Sequence, residues 1–142
     1  MIIESILGVK GGDVIAVSPS TSVLEVIEIL HRKKIGAVLV VDAGAIIGVL
    51  SERDIVQHLS EDGLDALHGQ ASAIMTAPVI TAAPEMSVTE AMGLMTSRRI
   101  RHLPVMRGAH LVGLVSIGDL VKHRIEEIER EAEALKSYIA AG

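Results

Sequence analysis

The sequence predicts an α+β fold: two pseudo-symmetric β-α-β-β-α units packed as one pair, with an N-terminal lead-in and a long C-terminal helix. Three observations predict it. Displaced by 65 positions, Val14–Val56 falls on Val79–Val121 without a gap, and Val14, Ile15, Pro19, Ser22, Val23, Glu25, Ile35, Val40, Gly48, Ser51, Asp54 and Val56 meet identical residues. Each unit is too short to bury a full core alone, so the two are expected to share one. The residues available for that core are aliphatic: 49% of the 142 residues are hydrophobic, yet there is one Tyr, no Phe and no Trp.

Residues 1–11 read as an N-terminal helix or linker, 12–62 as the first repeat, 63–75 as a connector, 76–122 as the second repeat and 123–142 as a helical extension. Val14–Val17 and Val79–Ala82 are expected to be short extended segments, ended by Pro19 and Pro84. Ser22 and Ser87 follow as N-caps, with Glu25 and Glu90 at capping-box spacing. Val23, Ile27, Leu30 and Val88, Met92, Met95 then recur at helical period. Ala37–Val41 and Ala45–Leu50 are β-rich runs turned at Asp42-Ala43-Gly44, and His102–Met106 and His110–Val115 repeat them around Arg107-Gly108-Ala109. A second helix begins at Ser51 or Ser116. Residues 57–75 form a mostly polar connection, broken at Gly63 and Gly69. From Ser116 one helix can run to about Ala140, with Val121, Ile125, Ile128, Ala132, Leu135 and Ile139 in heptad alternation. That stripe either folds back on its own domain or joins a second copy, and the second is favoured because the repeats match each other without it.

Composition excludes several functions. With 13 basic against 18 acidic residues and a net charge of −5, there is no global positive field for a nucleic acid. The aromatic platform of single-strand binders is missing as well. Without cysteine there is no disulfide framework and no thiolate metal site. Met1-Ile-Ile-Glu4 carries an early acid and no basic start, so it does not read as a secretory signal. The apolar runs Ile35–Val41 and Ala43–Leu50 are too short to span a bilayer. A cytoplasmic protein is expected, away from membranes. The six histidines form no His-Glu-x-x-His pattern, and no Gly-x-Ser-x-Gly elbow is present. Val9-Lys10-Gly11-Gly12-Asp13 lacks the Gly-Lys-Ser/Thr of a phosphate loop and reads as a linker. No catalytic set, catalytic cofactor or metal site emerges, so no enzyme is expected.

Three repeated polar positions stand outside the core pattern. Gly48-Val-Leu-Ser51-Glu-Arg-Asp54 and Gly113-Leu-Val-Ser116-Ile-Gly-Asp119 share a Gly-x-x-Ser-x-x-Asp frame where a buried strand meets a helix. Free backbone N–H groups and the positive helix end favour an anion there, and the serine hydroxyl can add a bond to phosphate. The aspartate can accept two hydrogen bonds from a ribose diol, as an acid does in dinucleotide folds. The same four residues also suit a plain capping box. Their occurrence twice, in an otherwise divergent repeat, favours the ligand role.

With its duplication, element order, Met75-Thr76 lead-in, Arg101-His102-Leu103-Pro104-Val105 strand and both Ser–Asp frames, the chain resembles a tandem CBS (cystathionine β-synthase-type) domain over about residues 12–122. The resemblance implies a pair of repeats with two clefts for adenosine-containing ligands such as AMP, ADP, ATP, NAD(H) or S-adenosylmethionine. It implies a regulatory module that senses adenine nucleotides or dinucleotides, associates as a homodimer and signals to an unknown downstream protein; a constitutive scaffold with vestigial clefts is the alternative. By matching position, Asp54 and Asp119 would hold ribose hydroxyls, and Ser51 and Ser116 would lie near phosphate. Val14, Ile15, Val79 and Ile80, with Val38, Leu103 and Pro104, would line adenine, and Thr76 would offer polar contacts at the mouth of the second cleft. The family usually has Thr where this chain has Ser51 and Ser116, which retains the hydroxyl.

The repeats differ in charge. The second carries Arg98, Arg99, Arg101, His102 and Arg107 where the first has Lys33, Lys34, Gly36, Ala37 and Asp42. Arg98 and Arg99 suit the C-terminal end of a helix dipole. Arg101 and His102, at the start of the next strand, are expected near a ligand phosphate, for which the guanidinium fork is suited. Arg53 faces either solvent or the phosphates.

Overall fold

Serine caps and tight turns punctuate both repeats, as the computed structural model, which describes Met1–Gly142, makes clear. The elements run α1 (Ile3–Lys10), β1 (Ala16–Val17), α2 (Val23–Lys33), β2 (Ala37–Asp42), β3 (Ala45–Ser51), α3 (Glu52–Asp62), a 3₁₀ turn (Gly63–His68), α4 (Ala71–Ile74), α5 (Val88–Arg98), β4 (His102–Arg107), β5 (His110–Ser116) and α6 (Ile117–Ala141). This is the mixed α+β architecture expected, with two repeats and a long last helix. Ser22 and Ser87 accept the backbone N–H groups of Glu25 and Glu90 at 3.1 and 3.0 Å, which starts α2 and α5. The helices stop at Lys34 and Arg99, both left-handed with φ near 55°. Each hairpin pairs antiparallel with a bulge, between Val40 and Val41 or between Val105 and Met106. In the first hairpin Ala43 and Gly44 both have positive φ, the two-residue turn that matches strand twist.

The chain divides into two compact units. Asp13–Ile80 holds the first repeat and α4, around Val17, Val23, Val26, Leu30, Val38, Val40, Leu50, Ile55, Ala71 and Ile74. Met1–Gly12 joins Thr81–Gly142, so α1 belongs to the unit of the second repeat. There Ile3, Ile6 and Leu7 are buried, and the Ile3 N–H donates to the Met86 carbonyl. Glu4 is paired with Arg107 at 2.8 Å.

Two expectations are corrected. The extended segment Val79–Ala82 is not a strand: only Ala82 bridges Val105, whereas β1 pairs with β2 at two positions and the Leu39 N–H reaches the Ile15 carbonyl. Pro104 stands at the position matching Leu39 and has no N–H to offer, so the second sheet keeps two strands and the first has three. The polar connection expected over 57–75 begins as helix and not as linker. Helix α3 continues to Asp62, Gly63 and Gly69 break the path as expected, and Ala71 and Ile74 are buried.

Candidate functional site

Both Gly-x-x-Ser-x-x-Asp frames lie where a strand gives way to a helix. In the Asp13–Ile80 unit, Ser51 ends β3 in extended conformation and caps α3. Its backbone N–H and hydroxyl donate to Asp54 Oδ2 at 2.9 and 3.0 Å, and the Asp54 N–H returns to Ser51 Oγ at 3.3 Å. This is a full capping box. The other carboxylate oxygen, Oδ1, accepts from the Thr76 hydroxyl at 2.9 Å. Thr76 is fixed beside β3 by two backbone hydrogen bonds with Val49, at 3.1 and 2.8 Å. The preceding Met75 lies over Gly48, where an added Cβ would fall 2.8 Å from Met75 Cγ. Any larger residue there would have to push the Met75 side chain aside.

The second frame has the same box and a different neighbour. The Ser116 N–H donates to Asp119 Oδ2 at 2.8 Å, and the Asp119 N–H donates to Ser116 Oγ at 3.2 Å. Lys10, in the last turn of α1, donates from Nζ to the same Asp119 oxygen at 2.6 Å and to the Leu114 carbonyl at 2.8 Å. The lysine and aspartate side chains are 38% and 25% exposed. Helix α1 is held to β5 for this: Leu7 covers Gly113, and Gly12 passes so close to the Val112 carbonyl that a Cβ would lie 2.7 Å from it. Burial pushes the Asp119 carboxyl up, but the bonds from Lys10 and the Ser116 backbone, with the Lys10 charge, outweigh it and the pKa is lowered.

The helix ends are less open to an anion than bare helix termini. The Glu52 N–H donates to the Gly36 carbonyl and the Ile117 N–H to the Arg101 carbonyl, while the Asp54 and Asp119 N–H groups go to serines. The expectation of free N–H groups at these positions is therefore corrected. Arg101 is exposed and joined through its carbonyl to the start of α6, and His102 stands opposite Ser116 in the hairpin. Arg53 is exposed. Val14, Ile15, Val79 and Ile80 are half-buried, whereas Val38 and Leu103 are fully buried and Pro104 is buried. Ser51, Asp54 and Thr76 are thus brought together in one unit. Thr76, expected at the second cleft, meets the first frame instead because its segment pairs with Val49 of β3. Ser116 and Asp119, next to Arg101 and His102, lie in the other unit. Lys10 was not among the residues expected at a site. Its segment reads as a glycine linker, and only the pair of glycines after it hints at a close backbone approach. No group of three His, Asp or Glu side chains could hold a metal, and no helix is long and apolar enough to cross a membrane.

Comparison with known proteins adds a family. The model of the CBS domain matches residues 10–61 and 71–126. The mitochondrial CBS domain-containing protein CBSX3 of Arabidopsis thaliana is 35% identical over 126 residues, which cover 85% of this chain and 61% of that protein. The chain therefore spans about three fifths of that relative's length. The crystal structure of a CBS-domain containing protein from Agrobacterium tumefaciens superposes with a TM-score of 0.84 at 38% identity, covering 87% of this chain and 99% of that one. The CBS domain pair of protein MJ0100, solved in complex with 5′-methylthioadenosine and S-adenosyl-L-methionine, superposes at 0.75 with 25% identity, covering 86% and 98%.

Proposed function

The chain belongs to the CBS-domain family as a tandem pair, and from that premise we propose that it is a regulatory module that binds adenosine-containing ligands of the AMP, ATP or NAD(H) class. Binding takes place at the Ser51–Asp54 and Ser116–Asp119 ends. One observation carries this: each unit holds a partly exposed aspartate rigidly at a strand-to-helix junction, with a hydroxyl or ammonium donor already on its carboxylate. A ribose diol offers the same kind of donor and can take that place. The adenosyl compounds bound by the MJ0100 pair support the ligand class. Arg101 and His102 would meet the phosphate, while Val14, Ile15, Val79 and Ile80 are the half-buried apolar residues available to a base. Val38 in one unit, and Leu103 and Pro104 in the other, would back the apolar lining of their own unit's end, and Arg53 is the exposed cation beside Asp54. Regulation follows if the ligand favours one arrangement of the molecule over another and a downstream protein reads the difference.

Isothermal calorimetry with AMP, ATP, NADH and S-adenosylmethionine tests the proposal. Micromolar binding that is lost in Asp54→Ala or Asp119→Ala supports it. Absence of binding by all four compounds would leave the second reading, a homodimeric scaffold, which the exposed apolar stripe of α6 favours.

A further inference from the structure

The two aspartates differ in what covers them, and the difference has a chemical consequence. Asp54 meets a neutral hydroxyl, that of Thr76. Asp119 meets the ammonium of Lys10, which donates to Asp119 and to the Leu114 carbonyl. The backbone of Lys10 is held in place. Its helix is docked by buried Ile3, Ile6 and Leu7, by the Glu4–Arg107 pair and by the tight passage of Gly12 over Val112. A ribose diol that takes the Asp119 carboxylate displaces the ammonium and leaves a positive charge beside the ligand. A nucleoside brings nothing to pair with it. A nucleotide brings a phosphate.

Resting on the ligand class proposed above, we infer that Lys10 is the specificity-determining residue of the Asp119 end, selecting adenosyl ligands that carry a phosphate over neutral adenosyl compounds. In the empty molecule it competes with ribose for Asp119; in the occupied one it pairs with the phosphate. The Asp54 end, with Thr76 in the corresponding place, makes no such selection. Arg101 also lies at the Asp119 end, but its guanidinium does not bond the aspartate, so the two cations are separable by experiment. Loss of Arg101 weakens AMP and leaves adenosine unchanged. Loss of Lys10 moves the two ligands in opposite directions.

The test is calorimetry of AMP and adenosine on the full chain carrying Asp54→Ala, which isolates the Asp119 end, with and without Lys10→Met. The expected result is AMP weakened about tenfold or more, by loss of a charge-assisted bond. Adenosine is expected to tighten roughly two- to fivefold, because an ion pair of this exposure no longer competes. Lys10→Arg should keep the preference for AMP. Equal changes for the two ligands, or a larger loss for adenosine, would overturn the role of Lys10 alone. If the Asp54→Ala chain binds neither compound, adenosyl binding at this end falls and the inference with it. A second measurement needs no substitution at Lys10: in ¹⁵N-lysine-labelled chain, the Lys10 Nζ resonance should follow AMP phosphate ionisation and show no such dependence with adenosine. A resonance indifferent to the phosphate would equally overturn it.

Discussion

Asp119 releases its proton more readily than an ordinary aspartate, although burial works against it. Lys10 supplies both a hydrogen bond and a charge to that balance, so its removal leaves burial with less opposition. In Lys10→Met the Asp119 carboxyl should therefore titrate at higher pH than in the parent chain, as a ¹³C carboxyl titration would measure. An unmoved midpoint would show that the ammonium does not act on this carboxylate in solution. The sign for stability follows. A folded pKa lowered below the unfolded one gives stabilisation that is complete above about pH 4 and lost as pH falls through the folded value. The deficit of Lys10→Met in urea unfolding should thus shrink as the pH is brought below the Asp119 midpoint, and a deficit constant down to that range would contradict the pairing. At this scale the sequence was half legible. Ser51 with Asp54 and Ser116 with Asp119 are local frames three residues apart, repeated in register. The groups that complete them arrive from 22 and 109 residues away, Thr76 and Lys10, and no periodicity ties them to their partners.

Elements were more legible than contacts, because caps, turn glycines and apolar period act within a few residues. Ser22, Ser51, Ser87 and Ser116 all start helices as expected, yet only Ser51 and Ser116 form reciprocal boxes. Asp reaches back to the cap N–H in both cases, whereas the Glu25 and Glu90 side chains do not. The strand at Val79–Ala82 failed because pairing depends on the neighbour, and Pro104 withdraws the donor that Leu39 supplies. Surroundings likewise decide what a glycine is for. Gly48 in β3 faces Met75, so Gly48→Ala should cost about 1–3 kcal/mol by overpacking and should shift Thr76 away from Asp54. Gly93, exposed in α5, has nothing within reach of a Cβ, and Gly93→Ala should stabilise by about 0.5–1 kcal/mol through helix propensity. Urea unfolding of both ligand-free variants checks the pair, and the same sign for both would refute the steric reading. Ser116→Ala, measured the same way, should cost about 0.5–2 kcal/mol for the lost cap of α6.

For the whole molecule the open surface is α6. It runs 25 residues from Ile117 to Ala141, and every residue from Glu129 onward is exposed. The stripe that the sequence placed in heptad alternation is therefore not folded back on the chain: Leu135 and Ile139 are 58% and 68% exposed, and Ile125 and Ile128 about half so. An apolar row on a helix that its own chain leaves uncovered is suited to a copy of itself, since a twofold axis presents the same row to both partners. Glu126, Glu129, Arg130, Glu131, Glu133 and Lys136 flank it and keep the rest of the helix in water. Burying two leucine-class side chains from each chain would contribute roughly 1.5–3 kcal/mol apiece, enough to reinforce a dimer held mainly by other contacts and slight as its sole support. A chain ending at Lys122 keeps buried Leu120 and both Ser–Asp frames, so it should fold and retain its ligand ends. Light scattering across a dilution series should show it dissociating at a higher protein concentration than the full chain. If both chains stay dimeric to the same dilution, the α6 stripe has no part in self-association.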